Sequence, residues 1–158
     1  MAKKLPILFL CTGNACRSQM AEGWTRHLKS DVIQPYSAGI EAHGLDPYAV
    51  KVMAEVGVDI SDQRSKLVSE VLDFPFDYVI TLCGHARENC PVFPRPVPVI
   101  HHGFPDPPKL AMGAETEEER LVPYRRVRDE IREFVETLPD SLASADPFAV
   151  HLDIPDES

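Results

Sequence analysis

Apolar and polar positions along the chain change period several times, and each change marks an element. Leu5–Leu10 is a short, almost wholly apolar run, which predicts a buried strand. Polar residues follow, and then Met20, Trp24 and Leu28 recur at helical spacing, predicting a helix over 18–29. Val32–Ser37 predicts a second strand, ended by Ala38-Gly39. Asp46-Pro47 has the form of a helix start, with Asp as N-cap and Pro in the first turn. That helix runs to about Val56, with Gly57 as its stop. Leu67–Leu72 predicts a short helix, and Phe76–Leu82 and Val97–His101 predict strands. Phe104-Pro105-Asp106-Pro107-Pro108 reads as loop. Glu115–Leu138 reads as helix, broken or restarted at Pro123, with Val127, Ile131, Phe134, Val135 and Leu138 as its buried stripe. Residues 139–158 hold three prolines and predict an irregular tail, packed if at all through Phe148 and Leu152.

Strands alternating with helices argue for an α/β domain: a parallel sheet of about four strands with helices on both faces. With 158 residues, a single domain over 1–138 and an acidic tail over 139–158 account for the whole chain. The pattern holds no internal repeat.

Charge narrows the partners. The formal net charge is −9, which argues against nucleic acid or an anionic membrane surface. The last twenty residues carry five acids and no Lys or Arg. An anion site in such a chain must draw its positive potential locally. No stretch reaches the ~20 apolar residues of a membrane span, and the short run after Lys3-Lys4 has none of the form of a secretory signal. The expected compartment is the cytoplasm, where four cysteines point to chemistry or metal ligation before structural disulfides.

The candidate chemistry begins at Cys11-Thr-Gly-Asn-Ala-Cys16-Arg17-Ser18. Strand, polar turn and helix follow one another here. In a parallel sheet such a turn lies at the carboxyl ends of the strands, where ligands bind. The helix beginning near Arg17 aims free N–H groups into the turn. Gly13 and Asn14 tolerate positive φ, so the turn can curl and aim more amides inward. Thr12, Gly13, Asn14, Ala15, Cys16 and Ser18 thus form an anion cradle, with Arg17 adding a two-pronged fork. Cys11 sits at its mouth, where dipole, amides and guanidinium favour thiolate over thiol. This places a nucleophilic sulfur against the central atom of a tetrahedral oxyanion. A buried core cysteine is the alternative for Cys11.

Cys83 follows the predicted strand 76–82, and Cys90 lies seven residues on in LCGHARENCP. These two residues admit three readings: part of a metal site with His85, His101 or His102, plain core cysteines, or a redox pair. The spacing is wide for zinc, and no second close cysteine pair accompanies it. His43, His101 and His102 read as structural or exposed. Cys16 reads as a cradle residue or a reserve disulfide partner for Cys11. Tyr48 and Tyr124 have no evident role.

LFLCTGNACRSQMAEG resembles the phosphate-binding loop of the low-molecular-weight tyrosine phosphatase superfamily, and within it the thioredoxin-coupled arsenate reductases. YSAGIEAHGLDPYAVKVMAEVGVDIS, DYVITLC, the Cys90-Pro91 pair, GFPDPP and RVRDEIREFV follow in the same order, so the resemblance covers residues 5–138 and leaves out the tail. It implies arsenate as substrate, with phosphate or sulfate competing; no cofactor and no catalytic metal are expected. It further implies a three-thiol relay. Cys11 attacks arsenic, Asp106 in the DPP loop acts as general acid, Cys83 attacks Cys11, and Cys90 attacks Cys83. Thioredoxin or another dithiol such as glutaredoxin with glutathione then regenerates a monomeric enzyme. If 83–90 were helical, its ends would lie ~10 Å apart, beyond the ~7 Å a disulfide allows, so the segment must bend or unwind to close. Some relatives of this type hold potassium with residues matching Asn14, Glu22 and Ser37. A fourth ligand is replaced here by Lys66, whose ammonium is expected to pair with Glu22. A tyrosine phosphatase using Cys11, Arg17 and Asp106, or a thiol-based sensor, are the alternative functions. The first has no need of Cys83 and Cys90, the second none of Asp106.

Overall fold

The computed structural model describes residues 3–143. Four parallel strands form one sheet in the order β2-β1-β3-β4: β1 Leu5–Cys11, β2 Ile33–Gly39, β3 Tyr78–Thr81 and β4 Val99–His101. Ile7, Leu8, Phe9 and Leu10 of β1 are all fully buried, so both faces of the central strand are covered. That explains an unbroken apolar run in place of alternation. The predicted α/β sheet is the one observed.

The helices are α1 Arg17–Lys29, α2 Pro47–Glu55, α3 Gly84–Glu88, α4 Pro107–Leu110, α5 Glu117–Glu136 and α6 Asp140–Ala143. Asp46 caps α2 by accepting from the Tyr48 amide at 2.9 Å, as its sequence position predicts. Trp24 of α1 is buried and donates its indole N–H to the Arg128 carbonyl at 3.0 Å, which fixes α1 against α5. Among the described residues no helix is long and apolar enough to cross a membrane.

Four expectations change. The helix expected over 67–72 is a single 3-10 turn, Val68–Glu70. The stretch read as loop through Pro108 instead enters α4 at Pro107, because proline lacks only an N–H that the first helical turn leaves unused. Pro123 does not interrupt α5, which is continuous past it. One backbone hydrogen bond is lost there, and buried Leu121, Tyr124 and Val127 hold the helix across the gap. Residues 140–143 are helical, not irregular, and Leu142 joins the core. Phe148 and Leu152 lie outside the described residues.

The topology decides where ligands can bind. From β1 the chain moves outward to β2 on one side, and β3 and β4 lie on the other. The switch point between β1 and β3 leaves a crevice at the strands' carboxyl ends. In the register Leu10 faces Thr81, and the Leu82 amide donates to the Leu10 carbonyl at 2.9 Å. Cys11 and Cys83, just beyond, therefore emerge at the same crevice.

Candidate active site

The turn after β1 is held from outside. The amides of Ile40, Glu41, His43 and Asp46 donate to the carbonyls of Cys11, Thr12, Gly13 and Ala15 at 3.1, 2.7, 2.9 and 2.9 Å. The Asn14 carbonyl accepts from Gln19 Nε2 at 2.9 Å, and the Cys16 carbonyl from the Met20 amide at 2.9 Å. Every carbonyl from 11 to 16 is thus engaged. A peptide N–H points opposite to its C=O, so the amides of 13–16 face the other way, into the turn. Among the described residues they donate to no protein acceptor. This is a concave array of unspent donors, the physical form of an anion cradle.

Local residue choice makes the curl possible. Asn14 has a positive φ of 49°, which Asn tolerates. Gly39 lets the two segments close: a Cβ there would stand 2.2 Å from the Glu41 carbonyl oxygen and 2.8 Å from the Asn14 amide nitrogen.

Side chains aim a further donor at the Cys11 thiol. The Lys66 amide donates to Asn14 Oδ1 at 2.9 Å, which orients that amide. Asn14 Nδ2 donates to Ser18 Oγ at 2.7 Å, and Ser18 Oγ lies 2.9 Å from Cys11 Sγ. With Asn14 occupying an acceptor position on the hydroxyl, the hydroxyl hydrogen is available to Cys11. All three side chains are buried.

Arg17 is buried and donates to the Phe104 carbonyl at 2.9 Å, with its other terminal nitrogen 3.7 Å from Asp106 Oδ1. Burial alone would depress the guanidinium, but Cys11 and Asp106 outweigh it and hold its pKa above the ordinary arginine value. Asp106, at the N-cap of α4, is thereby brought to the cradle from β4. Cys11, Thr12, Ala15, Cys16, Arg17 and Asp106 all line one cavity of about 310 Å³.

The second thiol is adjacent. Cys83 is fully buried at the N-cap of α3; its Sγ lies 3.2 Å from Thr12 Oγ1 and accepts from the Ala86 amide at 3.4 Å. Cys90 lies past the other end of α3, half-buried, and burial raises its pKa. Cys16 is buried, and its thiol is pushed well above its ordinary value by desolvation first and Asp46 second. All four cysteines are free, and among the described residues no group of three His, Cys, Asp or Glu side chains could hold a metal ion.

Residues 6–146 match the family of low molecular weight phosphotyrosine protein phosphatases. The chain belongs to that family. Among curated relatives, an arsenate reductase of Shouchella clausii is 55% identical over 141 residues, covering 87% of this chain and 99% of that one. An arsenate reductase of Bacillus subtilis is 53% identical over 135 residues, covering 83% of this chain and 95% of the relative. A solved arsenate reductase in the phosphate binding state superposes with a TM-score of 0.66 at 32% identity, over 87% of this chain and 98% of that one. A low molecular weight protein tyrosine phosphatase from T. tengcongensis superposes with 0.68 at 27% identity, over 87% and 99% of the two chains. The family is thus populated by both reductases and phosphatases on one fold.

Within this family member, sequence reasoning missed the mouth and the outer brace. His43 lies over Gly13, where an added Cβ would stand 2.3 Å from its Nδ1, and its Nε2 is 2.6 Å from Glu41 Oε1. His43 and His85 both line the cavity. Tyr124 also has a place: its hydroxyl donates to Asp46 Oδ2 at 2.7 Å, and Asp46 in turn holds the Ala15 carbonyl. Tyrosine at helical spacing carries no signal of such a bond.

The expected Lys66–Glu22 pair is not made. Glu22 is taken by Arg26 at 2.6 Å and by the Ser37 hydroxyl at 2.5 Å, while Lys66 Nζ donates to the Arg64 carbonyl at 3.2 Å. Arg26, one helical turn from Glu22, is the nearer and better aligned cation. Burial depresses the Lys66 ammonium, with Glu22 opposing that shift. Both oxygens of Glu22 thus already accept, one from a guanidinium and one from a hydroxyl.

Proposed function

We propose that the protein is an arsenate reductase that works through a thiol relay. The observation carrying this reading is Cys83: a second buried thiol, hydrogen-bonded to Thr12 of the cradle itself. Hydrolysis of a cysteinyl-phosphate needs no such neighbour, whereas handing on oxidising equivalents does.

The steps proposed are those that the family resemblance implies, and the placement of Cys11, Arg17, Cys83 and Asp106 supports them. A tetrahedral oxyanion sits in the amides of 13–16 and the Arg17 fork. The Cys11 thiolate attacks As(V), forming an S–As bond, and an arsenate oxygen leaves as water with a proton from Asp106. Cys83 Sγ, facing the Thr12 hydroxyl and the Ala86 amide, attacks Cys11 Sγ. The S–As bond breaks, its electron pair stays on arsenic, and As(III) departs as arsenite, leaving a Cys11–Cys83 disulfide. Cys90 attacks Cys83 and releases Cys11 as thiolate. An external dithiol, thioredoxin or glutaredoxin with glutathione, reduces the Cys83–Cys90 bridge by exchange. Phosphate and sulfate compete for the cradle. Free thiols throughout suit a reducing cytoplasm, and a monomer is the form proposed.

Cys90→Ser is the test. It is expected to form one arsenite per protein and stall as Cys11–Cys83, seen by single-turnover arsenite assay and mass mapping of the disulfide. Repeated turnover with thioredoxin at the unmodified rate refutes the relay.

A further inference from the structure

Of the carbonyls turned out of the cradle, only that of Asn14 is held by a side chain and by no main-chain amide among the described residues. Its partner is Gln19, fully buried on α1. Gln19 Nε2 donates to the Asn14 carbonyl at 2.9 Å and to the Arg64 carbonyl at 3.2 Å. Asn14 is also the cradle residue with a positive φ, 49°, a conformation that local backbone preference does not favour. The weakest link of the turn is therefore fastened by one buried amide.

The direction of that amide is itself fixed. Gln63 Nε2 donates to Gln19 Oε1 at 2.8 Å and to the Gln19 carbonyl at 2.9 Å. Gln63 Oε1 accepts from Arg26 at 2.8 Å. A guanidinium only donates. Facing Arg26, Gln63 must present its oxygen, so its NH2 turns to Gln19. Gln19 must then meet Gln63 with its own oxygen and Asn14 with its NH2. Arg26 is held in turn by Glu22 at 2.6 Å. One cation at the surface thus sets the polarity of two amides in series, and the series ends at a cradle peptide.

We infer that Gln19 is a positioning residue for the bound oxyanion, kept in its working direction by Gln63 and Arg26. The Asn14 carbonyl and the Ala15 N–H belong to one planar peptide and point opposite ways. Holding the carbonyl outward holds the Ala15 N–H into the turn, where it donates to no protein acceptor among the described residues. Without Gln19 this is the one peptide of the turn whose carbonyl has no main-chain partner to stop it rotating. Rotation would exchange a preorganised donor for an acceptor that repels an anion. Gln19 does not itself line the cavity, so its effect passes through this peptide. The inference rests on the turn being an oxyanion site and on no later step of the proposed reaction.

Inorganic phosphate is the probe, so the outcome is the same whether or not the chain reduces arsenate. Gln19→Met keeps an unbranched side chain of similar length and removes both hydrogen-bonding groups. Phosphate affinity, read by titration calorimetry on the full chain, is expected to fall about tenfold, as for loss of one donor to a charged group. In proton–nitrogen correlation spectra, the shift that phosphate induces in the Ala15 amide is expected to collapse while that of Gly13 persists. Gln63→Met, at a half-buried position, leaves the Gln19 donor present and removes what directs it. About threefold weaker binding and a reduced Ala15 shift are expected there, and this variant reports even if Gln19→Met does not fold. Unchanged affinity with an unchanged Ala15 shift in either folded variant overturns the inference. Weaker binding in which Ala15 still shifts in step with Gly13 overturns it as well, because a general loosening of the fold would then be the cause.

Discussion

Thr12 Oγ1 and Cys83 Sγ stand 3.2 Å apart, although 71 positions separate them in the chain. The contact joins the turn after β1 to the start of α3 across the sheet's switch point. Thr12→Val keeps the shape and removes the hydroxyl. In the proposed relay, losing one such bond to the Cys83 sulfur is expected to slow Cys11–Cys83 formation about tenfold. Rapid-quench measurement of arsenite release reads this directly. Thr12→Ser should restore the rate, and an unchanged rate in Thr12→Val would remove Thr12 from the relay.

Cys16 predicts a pH effect on stability. Burial and Asp46 raise its pKa well above the ordinary 9.0. The unfolded chain therefore loses this proton first. The contribution of Cys16 is complete below about pH 9 and is lost as pH rises from there toward the folded-state value. Urea unfolding between pH 8 and 10.5 should show a falling stability, and the fall should be shallower in Cys16→Ser. The same variant should retain most arsenate turnover, since a thiol held protonated is a poor nucleophile. Parallel curves for the two proteins would contradict the assignment.

Tyr124→Phe removes the 2.7 Å bond to Asp46 and leaves a carboxylate oxygen without that donor. A loss of about 1–2 kcal/mol is expected, visible as a lower urea midpoint at pH 7. An unchanged midpoint would show that water replaces the hydroxyl at no cost.

Potassium is expected to have no specific effect on turnover, because Arg26 and Ser37 already occupy Glu22. Activity in potassium chloride should match that in a large-cation chloride at equal ionic strength. Activation that appears only with potassium would mean that the Arg26 contact yields to the ion.

Local signals made the cradle legible in the sequence. An apolar strand, Gly13 and Asn14, and a helical period starting near Arg17 all lie within twenty residues. Cys83 follows from a simple rule, since it ends a strand and strand ends share an edge, whereas Asp106 comes from the resemblance of the DPP loop alone. What escaped was backbone or long-range. The four amides of 40–46 that turn the cradle outside-in belong to residues whose side chains announce nothing. Lys66 was matched to Glu22 by position, yet the i+4 neighbour Arg26 had the shorter reach. Pro123 was overweighted because propensity counts a lost bond and not the buried residues on either side.

Because most of the cradle's donors are main-chain atoms held largely by other main-chain atoms, its preference for a tetrahedral oxyanion depends on few side chains: the Arg17 fork and the Asn14 and Gly39 that permit the curl. In the proposed relay the choice of reaction rests with the side chains around it: the thiols at 83 and 90, the acid at 106, the residues at the mouth. A lineage can gain or lose a reaction there while the recognition element stays fixed. That gives reductases and phosphatases a physical reason to share one ancestry, with a few neighbours of the loop deciding what happens to the ion it captures.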